Sequence, residues 1–233
     1  MFATGRAVSE LDEQIARLPE VRYAVYASGG GLYDIRERRT FGLHPLPERQ
    51  IRRILSLAQA KDVMPQLVLP VGDVIQASHM EHLDHFHMGI YRPLYEKAMT
   101  LVPDIYAFAE SCREPVLKLN LYHADPEARI HTRAQLESPE LELVYSEASS
   151  LECSPPGVSK GSGLERLCAL LDIPLSACVA VGDAENDISM LQAAGLGIAM
   201  GNAPAHVKAA ADRVVSDCDH GGCVEALRIL MDE

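Results

Sequence analysis

The chain has 233 residues, 48% of them hydrophobic and 23% charged, which excludes a disordered or collagen-like polymer and suffices for a core with an insertion or for two small domains. Lys and Arg total 21 against 33 Asp and Glu, a formal charge of −12, and such a surface repels nucleic acid and anionic membrane unless a basic patch reverses it. The longest basic cluster, residues 36–39 with Glu37 inside it, reads as a solvated edge. No apolar run approaches the roughly eighteen residues of a membrane helix, and Met1-Phe2-Ala3 is no signal peptide. The six cysteines include no Cys-x-x-Cys pair, so a cytoplasmic protein with reduced thiols is expected.

In chain order, Phe2-Ala3 runs straight into Thr4-Gly5 and reads as the tail of a strand whose beginning is absent. A helix is expected over 8–18 and a strand over 22–27, ending in Ser28-Gly29-Gly30-Gly31. Pro45 and Pro47 open a helix over 48–60. Strands at 66–69, 116–122 and 141–145 follow, separated by uneven helical stretches. Residues 116–122 alternate apolar and polar, the pattern of a strand with one solvated face. This middle part reads as a separate α+β unit.

Towards the C-terminus, Leu164, Leu167, Leu170 and Leu171 recur at helical spacing over 160–172, and Pro174 stops that helix. A strand at 177–181, a helix through Ile188, Leu191 and Ala194, a strand at 196–200, a helix at 204–211, a strand at 213–215 and a helix at 222–231 complete the pattern. The two ends share an α/β rhythm. The expected fold is a doubly wound, Rossmann-like parallel sheet with an inserted α+β domain.

Three short stretches carry chemistry. In Gly182-Asp183-Ala184-Glu185-Asn186-Asp187, a strand end delivers one carboxylate to the edge of a parallel sheet and the next turn returns a second, a set suited to a hard cation. The same residues serve equally to cap the helix that follows. Lys160 stands at a helix start, where the dipole favours anions, so a phosphate or an ionised aspartate is expected to compensate it. The alternative is an ordinary exposed loop lysine. Ala3-Thr4-Gly5-Arg6 offers a hydroxyl and backbone N–H groups for a phosphate, or simply a Thr cap. Outside these, His79, His82, His85 and His87 crowd one segment, and the first three could share a helical face as metal ligands; a polar or substrate-facing surface is the alternative.

Taken in order, these stretches resemble motifs two, three and four of the haloacid dehalogenase superfamily, specifically its Cof-type phosphatases with a large α+β cap. Ala3-Thr4-Gly5-Arg6 matches the second motif, and Ser28-Gly29-Gly30 stands where that family has Asn-Gly-Ala. Leu151-Glu152 through Val158-Ser159-Lys160-Gly161 matches the third motif, residues 182–187 the fourth, and Ala199-Met200-Gly201-Asn202-Ala203 a C-terminal signature. The resemblance implies a discontinuous core, residues 1–41 and 157–233, with 42–156 as a C2B-type cap. It implies Mg²⁺-dependent hydrolysis of a small phosphorylated metabolite through an aspartyl-phosphate. Thr4 and Gly5 would then bind phosphate with Lys160, Asp183 and Asp187 would hold the metal, and Asn186 would orient the site.

The family's first motif, which carries the attacking aspartate, has no counterpart before Thr4. The only Asp-x-Asp is Asp217-Cys218-Asp219, in the stretch matching the last core loop. The expectation is an N-terminally incomplete core, inactive alone. The rival readings are a catalytically dead phosphate- or metal-binding remnant and a phosphomutase of the same fold. Neither a nucleic acid nor a membrane is an expected partner, and the sequence does not indicate an oligomer.

Overall fold

Phe2 and Ala3 form a two-residue strand, β1, parallel to β2 (Tyr23–Tyr26), whose aromatic and β-branched side chains suit a buried pleated surface. The structure is a computed structural model that describes residues 1–232, and the chain forms two units, Met1–Val158 and Ser159–Glu233. In the first unit, the helix expected over 8–18 is broken. A 3-10 turn at Val8–Glu10 precedes α1 (Asp12–Arg17), because the buried Glu10 carboxylate turns back to accept the Ala7 N–H at 2.9 Å. After β2 the chain passes through Ala27 and Ser28, both left-handed at φ 49° and 53°. It then turns back as β3 (Gly31–Asp34) and β4 (Arg39–Phe41), giving a four-stranded sheet in the order β1-β2-β3-β4.

The rest of the first unit is built on a second sheet. Its elements run α2 (Glu48–Gln59), β5 (Val63–Leu69), β6 (Gly72–Gln76), α3 (Ala77–Glu81), α4 (Arg92–Ala98), β7 (Met99–Val102) and α5 (Ile105–Ser111). They continue as β8 (Lys118–His123), α6 (Ala128–Leu136), β9 (Glu142–Val144) and β10 (Ser150–Ser154). The order is β7-β6-β5-β8-β10-β9, with only β6 and β7 parallel. On one face, Leu67, Leu119, Leu121 and Leu151 pack with Ile54 and Leu55 of α2, Ile105 of α5 and Leu136 of α6. In this sheet three strands escaped the sequence pattern, β6, β7 and β10; Gly72-Asp73 opens the first and Ser150-Leu151-Glu152 the last without a β-forming run, and β7 is only four residues long.

The alternation at 116–122 does not mark a solvated face: every residue of β8 is buried. Lys118, 1% exposed, and Asn120, 5% exposed, lie under protein instead of water. Around that second face, Val68 and Leu117 pack with Ala7, Tyr26 and Ala27, and Met64, Ile75 and Tyr122 pack with Leu83, Phe86 and Tyr95. This packing places residues 1–41 in one compact unit with 42–156.

The second unit opens with α7 (Lys160–Leu171), which ends at Asp172 in the left-handed conformation. Then come β11 (Val179–Gly182), α8 (Ile188–Ala193), β12 (Leu196–Ala199), α9 (Ala205–Lys208), β13 (Arg213–Val214) and α10 (Gly222–Asp232). The three strands form a parallel sheet in the order β11-β12-β13, the alternating α/β pattern expected for this stretch. Among the described residues, no helix is long and apolar enough to cross a membrane.

Candidate active site

Lys160 is the first residue of α7, and its place is fixed by a reciprocal cap. Ser159 Oγ accepts the Ser162 N–H at 3.1 Å, and Ser162 Oγ accepts the Ser159 N–H at 2.9 Å. The ammonium is buried. Its Nζ donates to Asp187 Oδ1 at 2.6 Å and to Asn186 Oδ1 at 3.0 Å. An aspartate therefore stands where the misplaced charge at a helix start called for an anion. The other oxygen of Asp187, Oδ2, accepts the N–H groups of Asp183 and Ala184, each at 3.0 Å. The 182–187 turn is thus wound around one buried carboxylate, with Lys160 and Asn186 drawn to it.

Gly182 makes that winding possible. A Cβ there would lie 2.5 Å from the Asp187 Cβ and 2.6 Å from its Cγ, closer than packed carbon atoms approach. Gly182→Ala is expected to lose about 1–3 kcal/mol of stability in urea unfolding. A change below about 0.5 kcal/mol would mean that Asp187 can step aside.

Asp183 is the exposed member of the group, at the carboxyl end of β11. Its Oδ2 accepts from Asn202 Nδ2 at 2.8 Å, and Asn202 Oδ1 accepts the Cys218 N–H at 3.2 Å. The sequence reading used Asn202 only as part of a signature; its position just beyond β12, the neighbour of β11, is the signal that could have placed it. Among the described residues, no group of three or more His, Cys, Asp or Glu is arranged to hold a metal by itself. The donor set still fits Mg²⁺, which takes one or two protein carboxylates and completes its shell with water and substrate phosphate.

Thr4 and Gly5 belong to the first unit. Thr4 Oγ1 accepts the Arg6 N–H at 3.1 Å, the local turn of a hydroxyl that caps its own loop. The Gly5 carbonyl accepts from Lys118 Nζ at 2.8 Å. Lys118 also pairs with Glu152 Oε1 at 3.1 Å and donates to Ser28 Oγ at 3.2 Å, while Ser28 Oγ donates to Glu152 Oε2 at 2.6 Å. Burial alone would raise the Glu152 pKa, but the Lys118 charge and the hydrogen bond from Ser28 hold it below the usual glutamate value. A Cβ on Gly5 would stand 3.1 Å from Glu152 Oε1 and 3.2 Å from Lys118 Nζ, so the loop rests directly on this ion pair. Sequence reasoning missed Lys118 because its alternation reads as a solvated face.

The histidine segment is not one helical face. α3 ends at Glu81 and a separate 3-10 turn spans Leu83–Phe86. His79 and His85 pack edge-on against the Phe86 ring, His85 Nε2 lies 2.8 Å from Asp62 Oδ2, and His87 Nε2 lies 3.0 Å from the Ala124 carbonyl. Asp217, the first aspartate of the only Asp-x-Asp, caps its own turn: its Oδ1 accepts from the Asp219 and His220 N–H groups and lies 2.6 Å from His220 Nδ1.

The profile of a family described as haloacid dehalogenase-like hydrolases matches residues 1–227. The chain belongs to that family. The chain is similar to YkrA of Bacillus subtilis (strain 168), provisionally named as a phosphatase: the two are 29% identical over 213 residues, covering 91% of this chain and 78% of YkrA. The solved structure of BT1666 from Bacteroides thetaiotaomicron, described among phosphatases of the superfamily, is 28% identical with a TM-score of 0.76, covering 97% of this hydrolase and 79% of that chain. A structure described as the subclass IIB sugar phosphatase BT4131 has a TM-score of 0.82 over 98% of this hydrolase and 84% of that chain; at 20% identity the likeness is one of fold.

Proposed function

We propose that this hydrolase is a Cof-type phosphatase for a small phosphorylated metabolite, with residues 1–41 and 157–233 forming the catalytic core and 42–156 the substrate-selecting cap. The observation that carries the reading is the Lys160–Asn186–Asp187 cluster beside an exposed Asp183. It presents a fixed cation and a carboxylate at the carboxyl end of a parallel strand, where ligands of open α/β sheets bind. Lys160 would neutralise phosphoryl charge, Asn186 and Asp187 hold the ammonium in place, and Asp183 would hold Mg²⁺ together with Asp187, directly or through water. Bound Mg²⁺ supplies neutralisation of the phosphoryl oxygens. Thr4 and Gly5 contribute a hydroxyl and a backbone N–H to phosphate binding.

The attacking aspartate is, in this reading, not among the 233 residues. One observation supports it: Asp217, in the only Asp-x-Asp of the sequence, is already engaged as a turn cap.

Two measurements test the proposal. Mg²⁺ is expected to raise the melting temperature of the parent protein and to leave Asp183→Asn unshifted; equal shifts in both would remove Asp183 as the metal carboxylate. The chain as written is expected to release no phosphate from p-nitrophenyl phosphate in the presence of Mg²⁺. Saturable, chelator-sensitive turnover would overturn the assignment of the nucleophile outside these residues. Metal binding without turnover, even once a preceding Asp-x-Asp strand is supplied, would favour a binding remnant over an enzyme.

A further inference from the structure

Cys168 and Cys178 lie in the second unit, ten positions apart, with their sulfur atoms 3.3 Å from each other. Local structure brings them together. α7 ends where Asp172 adopts φ 54°, and the Ile173 N–H returns to the Cys168 carbonyl at 3.0 Å. Pro174 and the 3-10 turn Leu175–Ala177 then reverse the chain, so that Cys178 enters β11 alongside the helix it has just left. Cys168 is buried and Cys178 partly exposed. The Cys178 Sγ also lies 3.7 Å from the Pro174 carbonyl. A disulfide needs its sulfurs to close by about 1.2 Å more than the 3.3 Å at which they stand.

We propose that Cys168 and Cys178 are a peroxide-sensitive thiol pair that converts reversibly to an intrachain disulfide. The partly exposed Cys178 reacts first. Its thiolate attacks one oxygen of hydrogen peroxide, the O–O bond breaks, and the hydroxide released takes up the thiol proton as one water, leaving Cys178 as a sulfenic acid. The Cys168 sulfur then attacks the sulfenic sulfur. The S–O bond breaks, and the hydroxide leaves with the Cys168 proton as a second water. Two thiols lose two electrons and two protons, and one peroxide becomes two waters. Burial and the neighbouring Cys178 push the Cys168 thiol up to about 11, so it is a poor first attacker and serves as the resolving partner within reach.

The bond would tie α7, which begins with Lys160, to the strand that ends at Gly182 just before Asp183. This gives the hydrolase fold a redox-responsive brace that the phosphatase reading does not require, so the two stand or fall separately.

The test is made on the whole chain, treated with a small molar excess of hydrogen peroxide and then blocked with iodoacetamide. The denatured protein is expected to lose two titratable thiols. A non-reducing digest is expected to yield a cross-linked peptide pair joining Cys168 to Cys178, which dithiothreitol dissolves. In Cys178→Ser, and separately in Cys168→Ser, no thiol pair is lost and the remaining partner of the two forms no cross-link. Full alkylation of both residues after peroxide would overturn the proposal. So would sulfinic acid at Cys178 without a cross-link, or a bridge from either residue to Cys218 or Cys223.

Discussion

Lys160→Met is expected to destabilise the second unit by about 3–5 kcal/mol, the range for removing one partner of a buried ion pair. The ammonium and the Asp187 carboxylate are each less than a tenth exposed and lie 2.6 Å apart. Removing the cation leaves a charge under protein with only the Asp183 and Ala184 N–H groups to hold it. Methionine matches the length of the lysine stem, so the loss reports the charge and not a cavity. Urea unfolding, followed by a probe within residues 159–232, measures it. The double variant Lys160→Met with Asp187→Asn is expected to recover part of the loss, since the stranded charge is then gone. A loss under about 1 kcal/mol in the single variant would mean that water reaches Asp187 and that the cluster is not a fixed cation site.

Lys118→Met is expected to have an effect of similar size, about 3–5 kcal/mol, in the first unit. It would strand Glu152, 5% exposed, and leave the Gly5 carbonyl and Ser28 hydroxyl without their shared donor. The pH dependence carries a second signature. The Glu152 pKa is lowered on folding, so its contribution is full above the ordinary glutamate value and fades as pH falls through the lowered one. Lys118→Met removes the main cause of that lowering, and the acid-side fading is expected to shrink or disappear.

Asp73, in the same unit, runs the opposite way. Burial, followed by the Glu10 carboxylate, raises its pKa well above the usual range, against the pull of Lys118 and the Gln66 side chain. Its contribution is full below the ordinary aspartate value and is lost as pH rises through the folded value. Its Oδ1 has no hydrogen-bond partner among the described residues, while its Oδ2 accepts from Gln66 Nε2 at 2.5 Å. Asp73→Asn is expected to remove the alkaline-side loss while leaving the Glu152 limb in place. A stability profile unchanged by both substitutions would sink this account.

How far the sequence could be read depended on whether the decisive partner was local. Lys160 was legible because a cation at a helix start is a local contradiction, and its resolution by Asp187 lies in the next turn motif of the same unit. The parallel strands β11 and β12 were legible from short apolar runs ended by glycine-containing turns. Lys118 was not. Its alternating pattern correctly assigns it to the face opposite Leu119, but periodicity distinguishes faces without saying what covers them. What covers this one is a loop 113 positions earlier in the chain. The break at Glu10 was hidden for a related reason: a glutamate at a helical position looks exposed until its carboxylate is seen folded back on the Ala7 N–H. Asn202 and Cys218 owe their roles to sheet order, which local pattern does not specify.

Asn202 joins Asp183 on one side to the Cys218 amide on the other, and this has a bearing on motion. The turn between β13 and α10 cannot swing outward without loosening the amide that orients the Asp183 carboxylate. Conversely, an ion or ester that draws Asp183 away would loosen the Asn202 link to that turn, which the Gly201 N–H still holds through the Ser216 carbonyl at 3.1 Å. The carboxylate and the turn are therefore coupled through one shared side chain, that of Asn202.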